Sequence, residues 1–119
     1  MILNKRKTGS IYEGMVCDLL KDNGYTVLDK NFISRYGEID IIALKDRYIC
    51  FVEVKYRKNS GSGMPEEAIN PDKIRKICKT SSYYMCVHPQ YSGMQMRFDV
   101  ASVLGNKITF YENAFEYLS

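Results

Sequence analysis

Three side chains in two neighbouring apolar runs have the types and spacing to do chemistry on a phosphate ester. Asp40 sits in Gly37-Glu38-Ile39-Asp40-Ile41-Ile42-Ala43, and Glu53 and Lys55 sit in Phe51-Val52-Glu53-Val54-Lys55. Buried strands rarely carry charges without partners, and burying a lone charge is expensive. Two carboxylates brought together repel unless a cation lies between them. Such a pair suits Mg²⁺ or Mn²⁺, hard cations that take oxygen ligands, and the Val54 backbone carbonyl can add one more. A nearby ammonium can orient or polarise an attacking water, or stabilise a pentacovalent phosphate. The chemistry expected is metal-dependent cleavage of a phosphodiester.

Whether these groups meet depends on strand register. Along the second run Tyr48, Cys50, Val52, Val54 and Tyr56 share one face, and Ile49, Phe51, Glu53 and Lys55 share the other, because side chains alternate across a strand. With a two-residue turn at Asp46-Arg47, an antiparallel hairpin puts Asp40 opposite Glu53 and Glu38 opposite Lys55. With the turn at Lys45-Asp46, Asp40 lies diagonal to Glu53. Direct neighbours across strands have Cβ atoms roughly 5 Å apart, and diagonal ones stay within reach of long side chains. A three-residue loop would send Asp40 and Glu53 to opposite faces. Glu38 shares the acidic face and is the ambiguous fourth member.

Other elements must frame this hairpin. Met1 to Lys7 reads as a frayed basic leader. Thr8, Gly9 or Ser10 can cap a helix that runs to about Asn23, with Asn23-Gly24 as its stop. Ile11, Met15, Val16, Leu19 and Leu20 form its apolar stripe, and Glu13 lies at the edge of that stripe, in line with Val16 and Leu20. Tyr25 to Leu28 reads as a short strand. Asp29-Lys30-Asn31 bends the chain, and Phe32 to Arg35 leads toward the hairpin, whose strands span roughly 36–45 and 47–56. Arg57 and Lys58 open a basic, Gly/Ser-rich loop over Asn59 to Gly63 that suits a substrate flap or a plain linker. Asn70-Pro71-Asp72 starts a second helix that runs to about Val87. Lys73, Arg75, Lys76 and Lys79 make this helix basic, and Lys73 lies one turn from the buried Ile77, near enough to reach a shared site. Met94 to Val103 and Lys107 to Tyr111 read as strands joined by a Gly105-Asn106 turn. The tail that follows packs Phe115. The order gives an α/β fold, a mixed sheet with a central hairpin flanked by helices. The hairpin's parallel partner comes after the second helix.

At 119 residues the chain reads as one domain, 1–119, large enough for a real core. The net charge of +3 permits a nucleic-acid partner without demanding one. The four cysteines, Cys17, Cys50, Cys78 and Cys86, have no CxxC spacing, and His88 is the one histidine. Free thiols in a reducing cytoplasm are expected rather than a zinc site. No apolar run approaches the roughly 20 residues of a membrane-spanning helix, and no signal-peptide core follows the basic start.

On these residues alone, a surface ion-pair cluster worth about 0–1 kcal/mol is the competing account. It leaves unexplained why acids interrupt such apolar runs. The order of motifs adds a resemblance. Glu13 in the first helix, Asn23-Gly24-Tyr25, Asn31, Gly37 to Ala43, Phe51 to Lys55 with Arg57, Lys73, Arg97-Phe98-Asp99-Val100 and Asn113-Ala114-Phe115 together resemble the PD-(D/E)xK, restriction-endonuclease-like nuclease superfamily. The likeness is closer to its YraN-type small bacterial family, whose members look like Holliday-junction resolvases, and it spans about Gly9 to Phe115. It implies a restriction-endonuclease-like fold and a nuclease site with Asp40, Glu53, Lys55 and Glu13 as catalytic residues. The same resemblance implies Mg²⁺ or Mn²⁺ held by Asp40, Glu53, Glu13 and the Val54 carbonyl. Arg57, Lys58, Lys73 and Lys76 are the expected nucleic-acid contacts, with Glu38 and Asp99 as further candidates. Tyr12 departs from the glycine usual before the helical glutamate. The expected partner is DNA, and a symmetric two-strand cut calls for a homodimer. A non-catalytic nucleic-acid-binding module with the same fold, or a partner-binding protein with an ion-pair cluster, are the alternatives.

Overall fold

Asp46 decides the register of the central hairpin. Its backbone takes φ +54°, a left-handed conformation that Asp tolerates better than most residues, so the turn falls at Asp46-Arg47. In the computed structural model, which describes residues 5–57 and 70–118 (in the first helix, side chains from Ile11 onward), β2 (Gly37–Lys45) and β3 (Tyr48–Arg57) pair antiparallel with Lys45 opposite Tyr48 and Ile41 opposite Val52. Continued by one residue, that register would set Asp40 across from Glu53, although the ladder itself ends at Ile41 and Val52. β1 (Thr26–Ser34) pairs antiparallel with β2, β4 (Gln95–Leu104) pairs parallel with β3, and β5 (Lys107–Tyr111) pairs antiparallel with β4. Among the described residues the sheet therefore has five strands in sequence order and is mixed, as expected.

The helices cover its two faces. Val16, Cys17 and Leu20 of α1 (Lys5–Asp22) pack with Ile41, Ala43, Cys50 and Val52. Ile77, Cys78 and Tyr84 of α2 (Pro71–Val87) pack with Ile42, Ile49, Phe51 and Phe98. Alternate residues of β3 thus feed opposite cores. Ile39 also joins the α2 side, so strict alternation in β2 lapses around Asp40, just beyond the last ladder pair. The described residues form a mixed α/β sheet flanked by two α-helices, compatible with a restriction-endonuclease-like architecture.

Several boundaries differ from expectation. α1 begins at Lys5 rather than after a cap at Thr8, Gly9 or Ser10, so Lys5 to Lys7 are helical rather than a frayed leader. Ser and Thr are good caps but are also tolerated inside a helix. The other end is as read: Gly24 takes φ +86°, and the N–H groups of Gly24 and Tyr25 donate to Lys21 and Leu20 carbonyls, a Schellman closure. β1 is one strand, not two. A bulge between Val27 and Asp29 and a left-handed Asn31 (φ +53°) absorb the predicted bend within it. α2 starts as expected, with the Lys73 N–H donating to the Asn70 side chain. Phe115 stacks on Phe98 with ring centroids 5.3 Å apart. The Asn59–Gly63 loop lies outside the described residues. Cys17, Cys50 and Cys78 are buried free thiols, and Cys86 is free and exposed. No helix among the described residues is long and apolar enough to cross a membrane.

Candidate active site

Past Ile41 and Val52 the β2–β3 ladder gives way to a side chain. The Val54 N–H donates to Oδ2 of Asp40 at 2.8 Å, so the carboxylate is pinned against the segment carrying Glu53 and Lys55. Glu53 is only 7% exposed. Across a cleft of about 170 Å³ lined by Glu38, Asp40, Glu53, Lys73 and Lys76, α2 faces these acids. Lys73 Nζ lies 2.7 Å from Oε1 of Glu53. A roomier cleft of about 510 Å³ beside Tyr25 and Lys45 gathers no such set of acids, and size alone does not locate the chemistry.

The electrostatics are those of crowded acids. Burial and the Glu53 carboxylate push Asp40 up to about 7 against the help of the Val54 N–H, with smaller upward contributions from Glu13 and Glu38. Glu13 is half-buried at the edge of the α1 stripe. Burial raises its pKa, the Asn31 side chain donates to it and lowers it, and the charges of Glu38 and Glu53 raise it. Asn31 lies between Lys30 and Phe32, whose partners Ile41 and Ile39 flank Asp40. Its left-handed backbone therefore sits where α1 meets the acidic strand end. Lys55 is lowered by burial and by the neighbouring Lys73 charge, while Glu53 and Asp40 work the other way. Burial opposes the charge on Lys73, but the Glu53 carboxylate outweighs it and holds Lys73 above the usual lysine range.

Most of the expected residues therefore converge: Asp40, Glu53, Lys55, Glu13, Glu38, Lys73 and Lys76. Arg57 is the last residue of β3, two positions after Lys55, and Lys58 lies outside the described residues. Asp99 is not brought to the site. It is fully buried on the α1 side of the sheet, where Arg97 Nε donates to it at 2.9 Å and the Asn113 N–H at 2.8 Å. Arg97 also donates to the Tyr25 hydroxyl at 2.7 Å. The Arg97-Phe98-Asp99 and Asn113 motifs thus hold the tail to β4. Tyr12 stacks on Tyr56 at 4.3 Å between centroids. In place of the expected glycine, an aromatic pair ties α1 to the end of β3 next to Lys55. Sequence reasoning missed the Arg35-Tyr36 turn beside this cleft, although Ser34 and Gly37 around it signal a tight turn.

Among the described residues no three His, Cys, Asp or Glu side chains form a preassembled metal-holding group. The donor chemistry nonetheless fits a hard divalent cation. The paired carboxylates offer oxygen ligands, and Asp40, raised first by burial and then by the Glu53 charge, is a group whose ionised form a cation beside it would favour.

Comparison with known proteins identifies the family but no activity. The crystal structure of SSO0001 matches with a TM-score of 0.50 and 18% identity, over 94% of this chain and 52% of that one. This chain spans about half the length of that protein, and the likeness is one of fold. The UPF0102 protein of Lachnoclostridium phytofermentans is 41% identical over 114 residues, covering 96% of this chain and 97% of the relative. The UPF0102 protein VP0448 of Vibrio parahaemolyticus is 36% identical over 115 residues, covering 95% of each. The family model described as "Uncharacterised protein family UPF0102" matches residues 12–103, and the chain belongs to that family, the YraN-type bacterial proteins.

Proposed function

We propose that this chain is a Mg²⁺- or Mn²⁺-dependent endonuclease of the PD-(D/E)xK kind that hydrolyses DNA phosphodiester bonds, branched DNA included. The observation that carries the reading is the Asp40–Val54 hydrogen bond of 2.8 Å. It ties Asp40 to the strand carrying Glu53 and Lys55, and both carboxylates line one cleft with Lys73 and Lys76 of α2. Asp40 and Glu53, with the Val54 carbonyl, would hold the cation, and Glu13 would complete the set only after moving toward it, because the three carboxylates do not form a ready-made group. When bound, the ion supplies positive charge at the phosphoryl oxygens and acidifies water. Lys55, its charge disfavoured by burial and by Lys73, sits beside the acids to orient the attacking water or meet charge developing on phosphorus. Lys73, Lys76, Arg57 and Lys58 would meet the DNA backbone, so affinity falls with salt.

Labelled duplex, single-stranded and four-way-junction DNA incubated with and without Mg²⁺ or Mn²⁺ tests this reading. Cleavage that requires metal and disappears in Glu53→Ala and Lys55→Ala supports it. No cleavage of any substrate in either metal defeats it. A symmetric cut at a junction further requires a two-fold dimer, which sedimentation would register.

One observation favours a second reading, a binding module that keeps the fold without turnover. Lys73 already occupies Oε1 of Glu53 at 2.7 Å, a ligand position that a metal would need. Salt-dependent DNA binding that survives Glu53→Ala, without cleavage, would support this reading.

A further inference from the structure

The β1–β2 turn rests directly on α2. A Cβ at Gly37 would lie 3.2 Å from Thr80 Oγ1 and 3.5 Å from Lys76 Cβ. The contact divides the outer side of α2 in two. Toward the helix N-terminus lies the acidic cleft with Lys73 and Lys76. Toward the C-terminus lies a separate cleft of about 410 Å³ lined by Tyr36, Lys79, Ser82, Tyr83, Cys86 and Tyr117. Tyr83 is 42% and Tyr117 47% exposed. The Tyr36 and Tyr83 ring centroids are 6.0 Å apart, and the Tyr117 and Ser82 hydroxyls are 2.8 Å apart. Tyr83 also borders a third hollow, with Ile33 and Arg35. Gathered exposed rings of this kind mark an interaction surface.

Charge decides what covers it. Lys79 lines the cleft, Lys76 stands one turn away, and Arg35 lies 4.9 Å above the Tyr36 ring while donating to its hydroxyl at 2.7 Å. Glu116, next to Tyr117, is the neighbouring acid in sequence. A second copy docking here across a two-fold axis would bring the same cations against themselves. A nucleic-acid strand complements both features: phosphates meet the cations, and any base can stack on an exposed ring. From Lys73 to Tyr83 is ten residues of helix, about 15 Å at the usual rise, or a few nucleotides. We propose that this surface is a stacking platform for unpaired bases of the strand that enters the acidic cleft. It makes DNA with a single-stranded arm beside the scissile position the preferred substrate class. The inference rests on the endonuclease reading for its orientation, but its binding test stands apart. A continuous duplex keeps its bases stacked inside and has none to offer the platform.

The test is fluorescence anisotropy with the full chain in EDTA, comparing a blunt duplex with the same duplex carrying a short single-stranded arm. The armed DNA is expected to bind about tenfold tighter, the scale of one or two stacked bases. Tyr83→Ala/Tyr117→Ala should bring the ratio near one with blunt-duplex affinity kept, and Tyr83→Phe should preserve it. A 2-aminopurine placed in the arm should be quenched by the wild-type protein, a readout that does not depend on any variant folding. Equal affinity for both DNAs, a ratio unmoved by the double variant, absence of DNA binding or an unquenched arm overturns the platform. A dimer that dissociates in the double variant while the ratio stays put assigns the surface to a second copy instead. Arm preference without cleavage in Mg²⁺ or Mn²⁺ defeats the endonuclease reading and leaves the platform standing. Cleavage with no arm preference does the reverse.

Discussion

The carboxylate of Asp40 takes the backbone N–H of Val54 at 2.8 Å, so a side chain completes the ladder where β2 and β3 part. An acid there serves two ends. It satisfies a backbone donor that would otherwise lack a partner, and it sets negative charge beside Glu53 in a half-buried cleft.

That arrangement has a pH signature in the metal-free protein. Asp40 sits at about 7 when folded, against an ordinary value near 3.8. Between these values the folded state holds a proton that the unfolded state has released, so stability falls as pH rises from about 4 to 7. Asp40→Asn keeps an acceptor for Val54 and removes the charge. Its melting temperature in EDTA should exceed that of the wild type at pH 8 by several degrees, since a carboxyl moved from 3.8 to about 7 costs up to about 4 kcal/mol before solvent screening, and should match it near pH 3.5. Circular dichroism melts at the two pH values decide, and a gap that is constant with pH counts against the assignment.

Lys73 competes for the oxygen that a cation would use. Its Nζ lies 2.7 Å from Glu53 Oε1, and its charge also repels any divalent ion nearby. Lys73→Met should therefore tighten Mn²⁺ binding several-fold, about 1 kcal/mol, by titration calorimetry. Weaker binding would mean that Lys73 assists the metal rather than opposing it.

Gly37 should tolerate no side chain. Its backbone lies at φ +153°, and a Cβ would press to 3.2 Å from Thr80 Oγ1. Gly37→Ala should cost about 1–3 kcal/mol and lower the urea midpoint. Gly93, with nothing within 4 Å of an added Cβ, serves as the control: Gly93→Ala should change the midpoint little.

The Arg97–Asp99 pair is structural. Asp99 is fully buried and holds both Arg97 and the Asn113 N–H. Removing one partner of a buried pair typically costs about 3–5 kcal/mol, so Asp99→Ala should lose that much in urea unfolding. Arg97→Met/Asp99→Leu, which leaves no charge stranded, should recover part of it. Equal losses in the two variants would contradict the ion-pair account.

Much of this architecture was legible in residue spacing. The two faces of β3 followed from strict alternation of Cys50 and Val52 with Ile49 and Phe51. The Asn70-Pro71 start of α2 followed from cap chemistry, and the reach of Lys73 to the site followed from its place one turn before Ile77. What was hidden lay in choices that local pattern leaves degenerate. Lys45-Asp46 and Asp46-Arg47 are equally polar turns, and only the left-handed Asp46 backbone separates them. The continuity of β1 depends on Asn31 taking a left-handed conformation that its sequence neighbours do not announce. Asp99 looked like a further acid for the site because its role is defined by Arg97 and Asn113, which the fold gathers on the far face. Tyr36, Tyr83 and Tyr117 come from three segments, and no one-dimensional spacing links them.

The parallel pairing of β3 with β4 has a consequence for how the protein assembles. The acids Asp40 and Glu53 meet within a hairpin closed by a two-residue turn, a local contact that forms early. Lys73 arrives only after the long crossover docks α2 and β4, a closure that is slower because its contacts are remote in sequence. The nascent hairpin therefore carries mutually repelling carboxylates before their neutralising helix is in place. Screening ions shorten that interval by weakening the repulsion. Stopped-flow refolding of the wild type should accelerate with added salt, and refolding of Asp40→Asn should be less responsive. The charge gathered at the cleft is then also a brake on the chain's own folding.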